Sequence, residues 1–164
     1  MKIAVTDANI FIDLIAVDLL NSLFDLKIEF HTTFPVFDQL NLEQQKNLIP
    51  YINSKKLVKY NFSYEELMEI YEIKFPNALE TADRSVFYYC NKINASILSG
   101  DKRLKTYCES KSIEVKGILW LFDELVASKI ITVSYAASKL QLLLTINDRL
   151  PYQDCLTRID KWGS

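Results

Sequence analysis

The chain has 164 residues, of which 49% are hydrophobic and 24% are charged. This composition predicts one globular domain spanning residues 1–164, with no low-complexity segment and no repeat. The net charge of −2 excludes a nucleic-acid binder that works by bulk positive charge, so any such binding must use a local patch.

The apolar segments are too short for a membrane protein. Asp7, Asp13 and Asp18 interrupt the apolar stretch at the N-terminus, where a secretory signal would carry no charge. No apolar run approaches the ~20 residues that cross a bilayer. We therefore expect a cytoplasmic protein that does not bind a membrane.

The first segments of the chain alternate between strand and helix patterns. Residues 2–6 are mostly apolar and predict a buried strand, and helical spacing of apolar residues begins at Ala8. Residues 27–32 predict a second strand. Thr33 is expected to cap the helix that follows, with Pro35 in its first turn.

The alternation continues with a third short strand at residues 56–60. The next helix is expected to open on a capping box formed by Ser63 and Glu66 and to end at Pro76. Thr81 is the expected cap of the helix after it.

The remaining segments follow the same order. Further strands are predicted at residues 95–98 and 113–115. Further helices are expected to begin near Leu104, after Gly117, at Ser134 and at Pro151, the last of them short and ending near Trp162.

This order of elements predicts an α/β fold, because strands that alternate with helices form a parallel sheet with right-handed connections. We expect a central parallel sheet of about five strands with helices on both faces. The C-terminal helices, from about residue 134, are expected to belong to the same unit. Sheets of this kind bind ligands beyond the carboxyl ends of their strands.

Three aspartates stand where such a ligand would bind. Asp7 and Asp101 follow the first and fourth predicted strands, and Asp83 lies in the first turn of the helix after residue 81. Each has an alternative local role as a helix cap or turn residue. If the first and fourth strands are neighbours, the carboxylates repel one another. A divalent cation offsets that repulsion and can activate water to attack a phosphodiester.

Four stretches of the sequence carry a family resemblance in order and spacing. They are VTDANIFIDL from Val5, HTTFPVFDQL from His31, LETADRSVFYYC from Leu79 and ILSGDKRLKTYCESKSIEVKGILWLFDELV from Ile97. Together they resemble the PIN domain, a three-layer nuclease fold that includes the VapC-type toxins. The resemblance implies a Mg²⁺- or Mn²⁺-dependent ribonuclease, the toxin of a toxin–antitoxin pair. It also implies an RNA substrate, a small antitoxin partner and a homodimer.

The resemblance assigns roles to individual residues. Asp7, Asp83 and Asp101 match the first, third and fourth family acids, which are catalytic and bind the metal. Asn9 and Ser99 match positions that support the site by hydrogen bonding. A phosphatase of the haloacid-dehalogenase type is disfavoured, because its chemistry needs an aspartate where this chain has Asn9.

The second family acid is where the sequence departs from the pattern. The family places glutamate directly before a leucine, and here Gln39 precedes Leu40, with Asp38 adjacent. Either side chain is a candidate supporting residue. The departure leaves an alternative open, a catalytically weakened PIN domain that binds RNA or a protein. Lys102 and Arg103 are candidate phosphate-binding residues, or else part of a solvated helix face.

Overall fold

The computed structural model describes residues 1–163 of the chain. Its centre is a sheet of five parallel strands in the order β3-β2-β1-β4-β5. The strands are β1 (Ile3–Thr6), β2 (Glu29–Thr33), β3 (Leu57–Tyr60), β4 (Ser96–Leu98) and β5 (Val115–Lys116). This architecture confirms the predicted α/β fold with an all-parallel sheet.

Ten helices surround the sheet within the described residues. They are α1 (Ala8–Ala16), α2 (Leu20–Leu23), α3 (Phe34–Gln39), α4 (Leu42–Asn53), α5 (Tyr64–Glu72), α6 (Thr81–Ile93), α7 (Lys102–Ser110), α8 (Ile118–Ala127), α9 (Val133–Ile146) and α10 (Tyr152–Gly163). Right-handed connections place α1 and α4, which contact each other, on one face and α6 and α7 on the other, and α3, which directly follows β2, packs against α6.

The position of β1 decides where the site can form. β1 lies in the middle of the sheet, with Val5 opposite His31 of β2 on one side and Ile97 of β4 on the other. Ala4 and Val5 are completely buried, as expected for a strand covered on both faces. The loops that follow β1 and β4 therefore leave the same edge of the sheet side by side.

Local sequence signals fix several helix starts as predicted. The Thr33 hydroxyl accepts a hydrogen bond from the Val36 N–H, and Pro35 lies in the first turn of α3. The capping box of Ser63 and Glu66 opens α5. These caps satisfy N–H groups that have no partner inside the helix.

Other predicted boundaries are wrong. The helix that was expected to reach Pro76 ends at Glu72, and Glu80 rather than Thr81 is the N-cap of α6. The last strand is Val115–Lys116 rather than residues 113–115. Helix α10 has 12 residues and is not short.

The C-terminal helices contact the rest of the structure through side chains. The rings of Trp162 in α10 and Phe122 in α8 stack with centroids 6.3 Å apart. Arg158 pairs with Asp123 at 2.7 Å. Within residues 1–163, no helix combines the length and apolar character that a membrane crossing requires.

Candidate active site

The structure brings the three predicted aspartates to one depression at the carboxyl edge of the sheet. Asp7 directly follows β1, Asp101 follows the neighbouring β4, and Asp83 projects from the first turn of α6. The depression has a volume of about 240 Å³. Its lining also includes Asn9, Gln39, Glu80 and Arg103, and we call it the acidic pocket.

Asp7 is held in a fixed orientation at the bottom of this arrangement. Its side chain is only 4% exposed. Its Oδ1 accepts from the Ala8 N–H at 2.8 Å, and its Oδ2 accepts from the Ser99 hydroxyl at 2.7 Å and from Asn9 Nδ2 at 3.1 Å. Burial raises the pKa of Asp7, the nearby charge of Asp101 adds to the rise, and these hydrogen bonds oppose it.

Asn9 and Ser99 also connect the two loops that carry Asp7 and Asp101. The Asn9 Oδ1 accepts from the Gly100 N–H at 2.8 Å, and the Ser99 hydroxyl accepts from the Asp101 N–H at 3.1 Å. A Cβ at Gly100 would come within 3.4 Å of the Asn9 Oδ1, so a larger residue would crowd this contact. Both side chains thus set the spacing of the carboxylates.

Asp101 is at once a helix cap and a member of the acidic pocket. Its Oδ1 accepts from the N–H groups of Arg103 at 2.8 Å and Leu104 at 3.1 Å, which fixes the start of α7. The local capping role and the functional role considered for this residue are therefore compatible, because only one carboxylate oxygen serves the cap.

Asp83 is also perturbed by its surroundings in the pocket. Its Oδ2 accepts from the Glu80 N–H at 2.9 Å. Burial, followed by the charges of Asp7, Asp101 and Glu80, raises the pKa of Asp83 to about 6, although the bond to the Glu80 N–H opposes the rise. Among residues 1–163, no lysine or arginine forms an ion pair with any of the three aspartates.

The raised pKa of Asp83 predicts how stability depends on pH without metal. An acidic group whose pKa is higher in the folded than in the unfolded state favours folding only while it is protonated. The free energy of unfolding therefore falls as pH rises through the folded-state pKa. Asp83→Asn should therefore be more stable than wild type by about 1 kcal/mol at pH 8, a value reduced for solvent screening of this half-buried group. At pH 4 we expect little difference. Urea denaturation at pH 4 and pH 8, with a chelator present, measures this difference in the free energy of unfolding. The exposed Asp38→Asn serves as control, and an equal difference at pH 4 and pH 8 would refute the linkage.

The structure distinguishes between the two candidates for the second family acid. Both side chains are exposed, but Gln39, at the end of α3, lines the acidic pocket and Asp38 does not. Adjacent helical residues point about 100° apart, which explains the difference. The amide of Gln39 thus lies where the family pattern places a charged carboxylate.

Glu80 is a pocket residue that the sequence analysis missed. It lies at the N-cap of α6, three positions before Asp83, and both side chains line the acidic pocket. Its spacing from Asp83 was the available signal, because residues three apart share a helix face. The signal was hidden by the expectation that Thr81 caps this helix.

The two candidate phosphate-binding residues are separated by the structure. Arg103 lines the acidic pocket, but Lys102 lies only on a neighbouring surface near Pro76 and Tyr107, which Arg103 also borders. Both side chains belong to the first turn of α7 and are exposed. Among residues 1–163, Arg103 is thus the one lysine or arginine that lines the acidic pocket, where a phosphate would meet the carboxylates.

The donor set suits a hard divalent cation. The pocket offers carboxylate oxygens from Asp7, Glu80, Asp83 and Asp101, and such oxygens are the usual ligands of Mg²⁺ and Mn²⁺. In the described part of the chain, no three acidic, histidine or cysteine side chains already form a metal-binding cluster. Mg²⁺ typically keeps several waters and contacts one or two carboxylates, so the donor set still fits.

A parallel α/β sheet with carboxylates at the ends of its central strands defines the class of protein. A PIN domain family model, DUF3368, matches residues 3–164, and the chain belongs to this family. The match confirms the resemblance found in the sequence. PIN domains are generally nucleases.

Comparison with other proteins adds little beyond the family. Among solved structures, the chain is similar to a PilT N-terminus domain protein, SSO1118, from the archaeon Sulfolobus solfataricus P2. The sequence identity is 14% and the TM-score is 0.43, with 77% of this chain and 92% of the other covered. No curated protein matches the chain.

Proposed function

We propose that the chain is a Mg²⁺- or Mn²⁺-dependent ribonuclease that hydrolyses phosphodiester bonds at the acidic pocket. The observation that supports this most is the convergence of Asp7, Asp83 and Asp101 without a pairing cation from residues 1–163. Crowded carboxylates destabilise a fold unless a ligand of opposite charge offsets the repulsion. Membership of the PIN family supports the same reaction class.

The chain's own residues divide the work of the proposed reaction. Asp7, Asp83 and Asp101, with Glu80 as a fourth carboxylate of the pocket lining, would hold the cation. When bound, the cation supplies an activated water and neutralises charge on the phosphate oxygens. Ser99 and Asn9 keep Asp7 in place through the hydrogen bonds described above. Arg103 binds the phosphate that lies across the pocket.

Metal-dependent cleavage of RNA is the direct test. Incubated with a mixed pool of single-stranded and looped RNAs, the protein is expected to cut in Mn²⁺ and to stop cutting when a chelator is added. Single-stranded RNA is the expected substrate, because its backbone is accessible where no second strand covers it. Equal cleavage with and without metal would reject the assigned chemistry, and no cleavage under either condition would reject the enzyme.

The partners are proposed from the family resemblance. We propose a cytoplasmic toxin that a small antitoxin restrains, and a homodimer as its resting form. Exposed apolar side chains on α5 offer a surface to a partner, since Tyr64, Leu67, Met68 and Tyr71 are 42–84% exposed and recur at helical spacing. Light scattering that gives the 19.0 kDa mass of one chain at all concentrations would reject the homodimer.

A PIN domain without catalysis, which binds RNA or a protein, is the second candidate. The neutral Gln39 at the rim of the pocket favours it, because an amide oxygen attracts a divalent cation less than a carboxylate does. Calorimetry with Mn²⁺ separates the two functions. Binding of the metal supports the nuclease, and no heat of binding at millimolar Mn²⁺ supports the binding module.

A further inference from the structure

Helix α5 packs against the rest of the protein with the polarity of an amphipathic helix reversed. Its one buried residue is Glu66, and none of its nine residues belongs to the hydrophobic core. Four large apolar side chains are instead exposed, namely Tyr64, Leu67, Met68 and Tyr71. A surface helix normally turns its apolar side toward the core. The core of this chain therefore does not explain why α5 carries these side chains.

Polar contacts hold α5 in this orientation. Glu66 accepts a hydrogen bond from the Tyr60 hydroxyl at 2.8 Å and forms an ion pair with Lys92 at 2.8 Å. The Tyr88 hydroxyl donates to Glu69, one turn further along the helix. The hydrogen bond from Lys92 is the largest of the effects that lower the pKa of Glu66 to about 2. Glu66 is therefore ionised at physiological pH, and the contacts that turn the apolar side chains outward persist there.

The exposed apolar side chains of α5 lie on one side of the helix. Tyr64, Leu67, Met68 and Tyr71 occupy positions i, i+3, i+4 and i+7, which share one face over two turns. Single apolar side chains on a surface are common, but a group of them on one face is typical of a protein-binding surface. Helices that dock onto a partner use this same spacing. We call these four residues the α5 stripe.

The charges that α5 itself carries are all negative. The helix contains four glutamates and no lysine or arginine. Glu66 is paired with Lys92, but Glu65 and Glu72 are exposed and form no ion pair within residues 1–163. Because they are seven positions apart, Glu65 and Glu72 lie on the same face, next to Met68. The α5 stripe thus has a negative edge that no cation of the described chain neutralises.

This charge pattern distinguishes among the candidate occupants of the α5 stripe. The surface of an anionic membrane and the backbone of RNA are both negative, so α5 would repel them. A second copy that docked α5 against α5 would bring the same glutamates together, and like charges that face each other weaken an interface. A partner with an apolar stripe bordered by lysine or arginine matches both the apolar side chains and the negative edge.

We propose that the α5 stripe docks a basic amphipathic helix of another protein. None of its four residues lines the acidic pocket, so this docking site goes beyond the proposed nuclease and does not require it. A helix is the expected form of the partner, because two helices pack side by side along such stripes. Lysine or arginine side chains of the partner would face Glu65 and Glu72, where opposite charges speed association and fix the orientation.

Two synthetic helices test the docking site. Both have about 18 residues, enough for an isolated peptide to form a helix, and both carry leucines at the spacing of the α5 stripe. One has lysines beside the leucines and the other has glutamates. In chelator and low salt, fluorescence anisotropy should show that the full chain binds the lysine peptide at least about tenfold more tightly than the glutamate peptide. Added salt should weaken binding of the lysine peptide, because it screens the attraction.

A pair of double variants locates the binding site. Leu67→Ser/Tyr71→Ser should weaken binding of the lysine peptide at least about tenfold, because both side chains lose apolar area that the peptide would bury. Leu142→Ser/Ile146→Ser removes two apolar side chains that are exposed on α9 and should leave the affinity unchanged. Circular dichroism checks that both variants are folded, which the exposure of all four side chains predicts.

A second pair of variants changes charge and leaves the α5 stripe intact. Glu65→Gln/Glu72→Gln should weaken binding of the lysine peptide and reduce its dependence on salt. Asp148→Asn/Asp160→Asn removes two exposed acids outside α5 and should do neither. If Leu67→Ser/Tyr71→Ser fails to fold, this comparison still decides whether α5 binds the peptide.

Several results would overturn the docking site. They are no binding of the lysine peptide to wild type, equal affinity for the two peptides, and an affinity that Leu67→Ser/Tyr71→Ser leaves unchanged. Sedimentation that finds a dimer of wild type and a monomer of Leu67→Ser/Tyr71→Ser would assign the α5 stripe to a second copy and overturn it as well. Peptide binding by a protein that cuts no RNA in Mn²⁺ would reject the nuclease and keep the docking site. RNA cleavage without peptide binding would do the reverse.

Discussion

Asp7→Asn is expected to slow RNA cleavage in Mn²⁺ by roughly 100-fold or more. Removal of a group that stabilises charge at a reacting centre typically lowers the rate by this factor. The variant loses the one buried charge of the acidic pocket. It also loses an acceptor, because an asparagine amide can accept through only one atom. Asp7 Oδ2 now accepts from both Ser99 and Asn9, so an NH₂ group there would face two donors. The rate of cleavage of a labelled RNA at saturating Mn²⁺ measures the effect.

A matched substitution controls for the change of charge. Asp25 is exposed and lies in the segment before β2, at the edge of the sheet opposite the acidic pocket. Asp25→Asn should cleave RNA at the wild-type rate, and circular dichroism should show that both variants are folded. If Asp7→Asn and Asp25→Asn cut equally well, the cleavage does not occur at the acidic pocket.

Gln39→Glu is expected to bind Mn²⁺ about 10-fold more tightly than wild type, because a unit charge close to a divalent cation contributes at least 1 kcal/mol even when solvent screens it. Gln39 already lines the acidic pocket, so the new carboxylate needs no movement of the backbone. Without metal the same change adds repulsion and should lower stability. Calorimetric titration measures the affinity, and RNA cleavage should increase in parallel.

Two further variants show whether position or charge alone causes the gain. Gln141→Glu makes the same chemical change at an exposed position of α9 and should leave Mn²⁺ affinity unchanged. Asp38→Asn should also have little effect, because Asp38 is not part of the pocket lining. A large loss of affinity in Asp38→Asn would mean that Asp38 replaces the family acid and that our placement of Gln39 is wrong.

The sequence predicted the parts of the fold that depend on nearby residues. Buried strands with an aspartate at the end, such as residues 3–7, and caps such as Thr33 are local patterns with a direct physical cause. The sequence predicted a parallel sheet with right-handed connections, but it left open whether β1 and β4 are neighbours. The strand order of the sheet makes them neighbours, and this brings Asp7 and Asp101 to the same edge.

Helix ends were less predictable where apolar residues keep their helical spacing past the end of a helix. Leu40 is buried and lies three residues after the buried Phe37, a helical spacing, but its backbone is extended and α3 ends there. Asn41 then starts α4 through a capping box with Gln44. The N-x-x-Q signal was present in the sequence, and the regular apolar spacing concealed it. For β5, pairing with β4 determines the register, so residues 113–115 alone could not define it.

The surroundings of the site depended on contacts between residues far apart in the chain. Asp13 and Asn147 meet only because the end of α9 packs near α1, and no local pattern indicates this. Glu80 joins the pocket because α6 begins one residue earlier than its sequence suggested. Burial and the proximity of charges also raise the pKa of Asp83, and both are properties of the folded chain.

A crystal structure of the protein soaked in Mn²⁺ tests the central assignment most directly. The anomalous signal of the metal should lie in the acidic pocket, in contact with at least one of Asp7, Asp83 and Asp101, and with Gln39 nearer to it than Asp38. A strong signal elsewhere on the protein, with those three carboxylates facing only water, would contradict the proposed metal site.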